Sequence, residues 1–318
     1  MCWRLSPTGL TSARLSQSNR IRQLRHFVSI AEHRNISGAA KELFMSQPAL
    51  SASLTQLEET LGLQLLIRHH ARGVSLTPSG TAFLAQARSL LAHSEEVAAT
   101  GRALGVSVEG VLPVGCFWTL SPFFLPSLIV LAREHHPELS IQVTEGPLDE
   151  LERLLLTGRI ECALLYDIDL NPSLTRHALT QVQPHVLLPE QHPLASSELI
   201  SLRSLRDEPF ILLDLPHSRD YFLGFFAKWG LQPNIRHRSQ SFELIRGLVA
   251  SGEGYSILNL QPASRQTYDG GRVRCIPIKE KVAPLSIVLA HSTSLRQTQR
   301  ALAFRRCCEE YFSGQAVD

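Results

Sequence analysis

The stretch that most constrains this chain is the hexapeptide SQPALS at residues 46–51, which stands between two short helical patterns. Apolar residues recur at three- and four-residue spacing over residues 36–43 and again over residues 50–61. Ser46 is a good helix cap, and Pro48 fits the first turn of a helix, where its missing N–H costs nothing. Two short helices joined by so tight a turn predict a helix-turn-helix, whose second helix enters the major groove of DNA.

A basic hairpin is predicted directly after this motif. Residues 63–66 and 74–76 have the pattern of two short strands, and the loop between them, residues 68–73, reads RHHARG. A helix-turn-helix followed by such a hairpin is a winged helix, whose wing tip usually contacts phosphates or the minor groove. Arg68 and Arg72 are therefore predicted phosphate contacts, the alternative being solvated surface charges.

Several side chains at the start of the second helix suit contacts to bases. Gln47 can pair with adenine through two hydrogen bonds, and Ser51 or Ser53 can reach base edges or phosphates. Pro48 or Ala49 can touch a thymine methyl group. The alternative is that Ser46 and Gln47 only cap the helix. The complete set of predicted DNA contacts is Arg34, Ser37, Ser46, Gln47, Pro48, Ala49, Ser51, Ala52, Ser53, Gln56, Arg68 and Arg72.

The charge distribution agrees with a nucleic-acid-binding head. Residues 1–107 carry 11 Lys and Arg against 6 Asp and Glu, whereas the remainder carries 20 against 23. A basic head on a slightly acidic body is typical of such proteins, although the excess alone would not decide the matter.

A long helix is predicted from Pro78 to about Leu104. Its apolar stripe is narrow and suits packing against one partner helix, as in a coiled coil. The alternative is an amphipathic helix that lies on its own domain. The stripe consists of Leu84, Ala87, Leu91, Ser94 and Ala98.

Beyond Gly105 the pattern changes to alternating strands and helices, which predicts an α/β class with two doubly wound lobes. A cleft between such lobes, at the carboxyl ends of the strands, is where these sheets bind ligands. The predicted domains are a disordered extension (1–20), a winged helix-turn-helix (21–77), a linker helix for dimerisation (78–106) and an effector-binding domain (107–318). Within the last, lobe I takes residues 107–180 and 271–318, and lobe II takes residues 181–270.

Six scattered cysteines without a C-x-x-C pair indicate reduced thiols in a cytoplasmic protein. The longest apolar run is too short for a membrane span, and the first residues lack the apolar centre of a signal peptide. The histidine pairs at 69–70 and 135–136 are adjacent, whereas helical metal sites want a spacing of three or four. No cofactor and no metal are expected.

Residues 21–80 resemble the DNA-binding head of LysR-type transcriptional regulators, a bacterial family. The resemblance is carried by LRHF at 24–27, AAKEL at 39–43, SQPALS at 46–51 and LTPSG at 76–80, and it continues to about residue 312. It implies a homotetramer built from dimers, binding to imperfectly palindromic promoter DNA, and a small-molecule effector in the cleft. The chain departs from the family at Leu66, where an aromatic residue is usual, and in a recognition helix that lacks the usual arginine.

The predicted effector contacts lie in loops at strand ends. One group follows the first strand of lobe I, and another begins a helix of lobe II. Hydroxyl groups and free N–H groups at helix starts suit a small carboxylate or another polar acid. The aromatic residues Trp118 and Tyr166 either form walls of the pocket or belong to the hydrophobic core. The predicted contacts are Trp118, Thr119, Ser121, Tyr166, His217 and Ser218.

The sequence bears on three other possible functions. A sensor that acts mainly through protein contacts is the principal alternative, motivated by the neutral recognition helix. An enzyme is disfavoured, because Asp214, His217 and Ser218 crowd into five residues and no G-x-S-x-G motif precedes them. A redox sensor would need reactive cysteines in lobe II, and residues 181–270 contain none.

Overall fold

The computed structural model describes residues 8–69, 73–102 and 108–314. Its helices are α1 (Thr8–His33), α2 (Ile36–Glu42), α3 (Gln47–Leu61), α4 (Pro78–Arg102), α5 (Ser121–His135), α6 (Leu148–Leu156), α7 (Ser218–Lys228), α8 (Phe242–Ala250) and α9 (Gln299–Gly314). Its strands are β1 (Leu66–His69), β2 (Gly73–Leu76), β3 (Gly110–Phe117), β4 (Leu139–Gly146), β5 (Cys162–Tyr166), β6 (Leu174–Val182), β7 (His185–Pro189), β8 (Pro209–Leu213), β9 (Asn234–Ser239), β10 (Ser256–Leu258), β11 (Val273–Pro277) and β12 (Leu285–Ser292). None of the described helices is long and apolar enough to cross a membrane.

The chain divides into two compact units, one built mainly from residues 1–107 and the other from most of the remainder. The first unit contains the predicted helix-turn-helix. Asn35 caps α2 by accepting a hydrogen bond from the N–H of Gly38, and Ser46 caps α3 by accepting one from Ala49. Gly62 ends α3 in the left-handed conformation, with φ of 64°. The winged helix-turn-helix predicted from the sequence is confirmed.

The core of this first unit forms where the apolar faces of its helices meet. Phe27, Ile30, Leu50, Leu54 and Leu65 are completely buried. Burying each such side chain stabilises the fold by roughly 1.5–3 kcal/mol. The core therefore fixes α3 rotationally and decides which of its faces remains outside.

The first strand of the wing lies later than predicted. Residues 63–66 were expected to form it, but β1 covers Leu66–His69 and pairs antiparallel with β2. The cause is Glu58, whose carboxylate accepts hydrogen bonds from the N–H groups of Leu65 (2.8 Å) and Leu66 (3.1 Å). These bonds hold the segment after Gly62 against α3, so the strand begins only at Leu66.

The apolar stripe of α4 packs differently from the sequence prediction. Leu84 and Ala87 belong to the buried core of the first unit, and Leu91 packs against it. These three of the five predicted stripe positions therefore pack on their own domain rather than facing a partner helix. Among the described side chains of α4, the exposed large apolar ones are Leu90 (53 %) and Val97 (72 %), seven positions apart. The side chain of Ala98 lies outside the described residues.

The N-terminal extension also differs from prediction. Residues 1–20 were expected to be disordered, but α1 begins at Thr8 and continues to His33 without a break. Residues 8–20 are thus the first part of a helix whose later turns enter the core. Residues 1–7 lie outside the described residues.

Lobe I of the second unit is built on a sheet with the strand order β4-β3-β5-β12-β6. The strands β4, β3 and β5 run parallel, with helices α5 and α6 as crossovers, whereas β12 runs antiparallel to β5 and β6. Strand β6 was not predicted from the sequence, because polar residues run together at Thr175, Arg176 and His177 and break the alternation typical of a strand. The parallel part places the carboxyl ends of β3 and β5 at one edge.

Lobe II contains the sheet β10-β7-β11 and the parallel pair β8–β9. A β-bridge joins the two, from Phe210 in β8 to Tyr255, the residue before β10. Its boundary at residue 270 is a wrong prediction. Strand β11 pairs along its whole length with β7, from Val273 opposite Pro189 to Pro277 opposite His185. Lobe II therefore extends to Pro277, and the predicted two-lobed α/β class is otherwise confirmed.

Candidate DNA-binding face and effector cavity

Helix α3 presents one row of residues to solvent at its N-terminal end. Its core face carries Leu50, Leu54 and Leu57, which are buried. The opposite row combines exposed small and polar side chains with the half-buried Ser51. Its exposed members are Ser46, Gln47, Pro48, Ala49, Ala52 and Thr55. This row is short and uncharged, so base contacts from it rely on hydrogen bonds and methyl groups.

The amide group of Gln47 is hydrogen-bonded to the preceding helix, α2. The hydroxyl of Ser37, in the first turn of α2, donates to Oε1 of Gln47 at 3.2 Å. Both side chains are exposed, so the bond is accessible from solvent. It fixes the amide of Gln47 beside the N-terminus of α3 with its Nε2 group still available.

Ser53 and Gln56, two of the predicted DNA contacts, hydrogen-bond to α1, although Ser53 is only half-buried and Gln56 is exposed. Ser53 Oγ lies 2.7 Å from Nδ1 of the buried His26, and Gln56 Oε1 accepts from Nε2 of the buried Gln23 at 2.9 Å. Burial, and then the charge of Arg22, lowers the pKa of His26 below its usual value. The neutral imidazole serves as an internal partner, so these two α3 side chains tie the helix to α1.

The wing meets the same face of α3 through Arg68. Nη2 of Arg68 donates to the hydroxyl of Thr55 at 3.1 Å, and Thr55 in turn donates to the carbonyl of Ser51 at 3.1 Å. Thr55 was not among the predicted contact residues. Its spacing of four from Ser51 places it on the exposed row and was the signal that would have found it. Arg72 lies outside the described residues.

Arg34 has a structural role that the sequence did not reveal. Its φ is 53°, and its carbonyl oxygen accepts the N–H of Val74 at 2.8 Å. A Cβ added at Gly73, where φ is 85°, would lie only 2.3 Å from that oxygen. The start of β2 is thereby anchored to the connection between α1 and α2. This contact sets the position of the wing, while the Arg34 side chain stays exposed.

The second unit contains a narrow cavity of about 10 Å³ between its lobes, which is room for about one water molecule. Thr119 and Tyr166 reach it from the carboxyl ends of β3 and β5 in lobe I. Most of the lining comes from lobe II. The lining residues are Thr119, Tyr166, Leu213, Ser218, Phe222, Phe242, Leu258, Asn259 and Leu260.

The polar groups of the cavity are buried, and some are already linked. Thr119 hydrogen-bonds with the hydroxyl of Tyr166, and burial raises the pKa of that phenol. Asn259 Oδ1 accepts from the hydroxyl of Tyr221 at 3.4 Å. Ser218 is only 6 % exposed and lies at the first position of α7. Hydroxyl and amide groups on an apolar wall can orient a small ligand with one polar end.

Three predicted effector contacts are not in the described lining of this cavity. Ser121 is buried and turned into lobe I, where its hydroxyl donates to the carbonyl of Phe117 at 3.3 Å and hydrogen-bonds with the Cys116 thiol. Trp118 is 39 % exposed in the turn after β3. His217 precedes α7 with a φ of 65°. The left-handed backbone there places Ser218, rather than His217, at the cavity.

The helix starts also differ from the expected anion site. The N–H groups of Ser218 and Arg219 donate to the carbonyls of Pro216 (2.8 Å) and Leu215 (3.0 Å), so the α7 terminus is partly satisfied by its own chain. Among the described residues, no lysine or arginine lines the cavity. Recognition of a polar ligand there rests on the hydroxyl and amide groups.

The sequence missed most of the apolar lining. Phe222 and Phe242 lie on different helices, and Leu258, Asn259 and Leu260 come from the end of β10. Each has the pattern of an ordinary core residue, so only the tertiary arrangement identifies it. The signal for Asn259 was a polar residue directly after a buried strand of the predicted lobe.

The residues considered for other chemistry are engaged elsewhere. The carboxylate of Asp214 pairs with Arg238 at 3.4 Å and Arg219 at 3.9 Å. Burial raises the pKa of the described thiols: Cys116 to about 12 and Cys275 to about 11. Cys275 belongs to lobe II, because β11 does, so the sequence argument that lobe II lacks cysteine was wrong in its boundary.

The comparisons with known proteins identify both units. Residues 21–81 match the bacterial regulatory helix-turn-helix protein of the lysR family, and residues 106–313 match the LysR substrate binding domain. The chain belongs to the LysR family. It is therefore a DNA-binding transcriptional regulator with an effector domain, as the resemblance implied.

Individual relatives agree with this assignment. The LysR-type chain is 32 % identical over 291 residues to the transcriptional regulator YnfL of Escherichia coli, covering 90 % of this chain and 96 % of that one. It is 30 % identical to a hydrogen peroxide-inducible genes activator of Pectobacterium carotovorum, covering 75 % and 79 %. The crystal structure of HinK, a LysR family regulator from Pseudomonas aeruginosa, is similar with a TM-score of 0.63 and 37 % identity, covering 92 % and 98 %.

Proposed function

We propose that this LysR-type regulator reads promoter DNA with the exposed row of α3, from Ser46 to Thr55, and steadies it with the wing. The observation that carries the proposal is the division of α3 into two polar rows. One row is bonded to α1 through Ser53 and Gln56, and the other is free to meet base edges. Gln47 is the predicted reader of adenine, and Arg34, Ser37, Arg68 and Arg72 are the predicted flanking contacts.

The test is footprinting on the DNA upstream of the regulator's own gene, across a salt series. A protected, imperfectly palindromic region whose occupancy falls steeply with salt is expected, because Arg68 and Arg72 would release counterions from phosphates. The two glutamines of α3 supply a matched pair. Gln47→Ala should weaken operator binding by about tenfold, while Gln56→Ala, whose exposed amide accepts a hydrogen bond from Gln23 of α1, should leave it nearly unchanged. Equal losses in both variants would contradict the proposed division.

The effector proposed for the cavity is a small carboxylate or related polar acid with an apolar body. Leu213, Phe222 and Phe242 supply apolar walls, whereas Thr119 and Ser218 supply hydroxyl groups for the acid. Because no described cationic side chain lines the cavity, a compact acid with a single charge fits better than a diacid. The cavity of about 10 Å³ is smaller than such a ligand, so binding would favour a more open arrangement of the lobes and change DNA contacts through differential affinity.

A panel of small carboxylates and their matching primary amides tests this chemistry by thermal shift. Stabilisation by an acid, and less by its amide, is expected. Ser218→Ala should reduce that shift, while Ser127→Ala, an exposed serine on α5, should not. Stabilisation by the neutral amides alone would rule out an acid as the effector, while the cavity would still be the ligand-binding site.

We do not propose that this chain responds to peroxide, although it is similar to hydrogen peroxide-inducible genes activators. The thiolate is the form that reacts with peroxide, and burial holds the described thiols in the protonated form. Cys116 and Cys162 are completely buried in the sheet of lobe I. A small organic effector is therefore the better proposal for this chain.

The proposed assembly is a dimer or tetramer in the cytoplasm, with α4 as the dimerisation helix. Leu90 and Val97 are exposed on α4 at heptad spacing, which suits contact with a second copy of that helix. A Leu90→Lys, Val97→Lys variant should sediment as smaller particles than the parent protein. An unchanged sedimentation coefficient would place the interface elsewhere.

A further inference from the structure

Phe44 is an exposed aromatic residue that the fold does not use. It lies in the turn between α2 and α3 and is 97 % exposed, more than any other large apolar side chain in the described part of the chain. Its neighbour Leu43 packs against the core, so the apolar pattern of α2 ends one residue earlier. An aromatic ring left in water gains none of the free energy that burial provides.

The backbone at Phe44 is also unfavourable for this residue type. The N–H of Phe44 donates to Lys41 (3.2 Å) and the N–H of Met45 donates to Ala40 (2.9 Å), the two bonds of a Schellman motif. Phe44 occupies its left-handed position with φ of 52°, where glycine is preferred. Neither stability nor turn geometry accounts for phenylalanine here.

The position of Phe44 indicates what the ring contacts. It stands two residues before Ser46, the cap of α3, and three before Gln47. The exposed row of α3 therefore begins two residues after Phe44, which is itself an exposed apolar side chain. In the major groove, the apolar feature of a base edge is the C5-methyl group of thymine, which phenylalanine contacts readily.

We propose that Phe44 packs against a thymine methyl group at the edge of the sequence read by α3, and is a specificity-determining residue for the operator. This inference rests on the DNA-binding face proposed above. It adds a preference for thymine to a recognition surface on which Gln47 is the predicted reader of adenine. Because the contact is apolar, it adds affinity without releasing counterions.

The experiment compares the full-length protein with Phe44→Gly on the footprinted operator. Glycine suits the left-handed position, so the variant should fold with an unchanged or higher melting temperature. Its operator affinity should fall by about fivefold to tenfold, as for the loss of one base contact. The slope of affinity against salt should stay the same. Tyr268→Ala, which removes an exposed aromatic ring from lobe II, should change neither quantity.

Deoxyuridine substitution then tests the base itself. Each thymine of the protected region is replaced in turn by deoxyuridine, which lacks only the methyl group. The unmodified protein should lose affinity at one thymine in each half-site, and Phe44→Gly should be insensitive at that position. The proposal is overturned if Phe44→Gly binds as tightly as the parent protein, if its salt slope becomes shallower, or if every deoxyuridine affects both proteins equally.

A different outcome would indicate that Phe44 contacts a protein partner instead of DNA. Unchanged operator affinity together with lost transcriptional output from Phe44→Gly would overturn the thymine contact. Failure of the unmodified protein to bind any upstream DNA would instead contradict the proposed DNA face, so the two failures are distinguishable.

Discussion

The recognition helix and the effector cavity use polar side chains in opposite ways. In α3, the residues offered to a ligand are exposed, and two further polar residues, Ser53 and Gln56, hydrogen-bond to α1. In the cavity, the candidate contacts Thr119 and Ser218 are almost completely buried among apolar walls. A long polymer must be met by a surface, whereas a small molecule must be enclosed. Candidate contact residues are therefore exposed in the first region and buried in the second.

The largest effect is expected from a substitution that disrupts the DNA-binding unit and leaves the effector cavity intact. In Gly73→Ala the new Cβ would meet the Arg34 carbonyl, and alanine would have to adopt a φ of 85°. We expect a loss of about 3 kcal/mol in stability of the first unit and loss of operator binding. Ligand-induced thermal shifts of the effector unit should persist. Gly230→Ala, which also has positive φ but no neighbour within 4 Å, is the milder control.

The second prediction compares two buried histidines. His26 has a hydrogen-bonding partner in Ser53, whereas His185 Nε2 is buried without one in the described structure. Burial lowers the pKa of His185 from 6.5 to about 4, against a small opposing effect of the Gln183 backbone. Its folded pKa lies below its unfolded pKa, so stability is present above pH 6.5 and is lost as pH falls toward 4.

That loss should reach about 3 kcal/mol by pH 4. Urea unfolding of the effector unit, followed between pH 7 and pH 4, measures it. His185→Leu should flatten the dependence, while His135→Leu, an exposed histidine in the same unit, should not. A parallel slope in all three proteins would show that His185 is not the group responsible.

The smallest expected effect sharpens the division within α3. Ser53→Ala removes the partner of His26 and should reduce stability by about 1 kcal/mol, with little change in operator affinity. Ser51→Ala, two residues earlier and on the row that faces solvent, should do the reverse. Chemical denaturation and operator titration on both variants provide the comparison. Greater DNA loss from Ser53 than from Ser51 would mean that the rows are assigned the wrong way round.

The sequence predicted the first region well because one helix controls it. Helical spacing, the cap at Ser46 and the stop at Gly62 define α3 and its core face without any tertiary information. The errors came from tertiary bonds. Glu58 delays the wing strand to Leu66, and His26 turns Ser53 inward. Neither bond has a signature in the local pattern.

The cavity was predicted less completely because its lining comes from many separate segments. Thr119, Tyr166 and Ser218 were found from the rule that ligands lie at the carboxyl ends of strands. Phe222, Phe242 and Leu260 could not be found, since they look like core residues until the two lobes are placed together. The same limitation explains the misplaced lobe boundary, which only the pairing of β11 with β7 reveals.

That pairing has a consequence for how the chain is completed during synthesis. The sheet of lobe II is closed once β11 has emerged, at Pro277, whereas lobe I still lacks β12, which bonds to both β5 and β6. The lobe that starts first along the chain is therefore the last to be finished. A nascent chain that ends before residue 285 carries an unpaired strand edge, which makes this interval the one most exposed to misfolding.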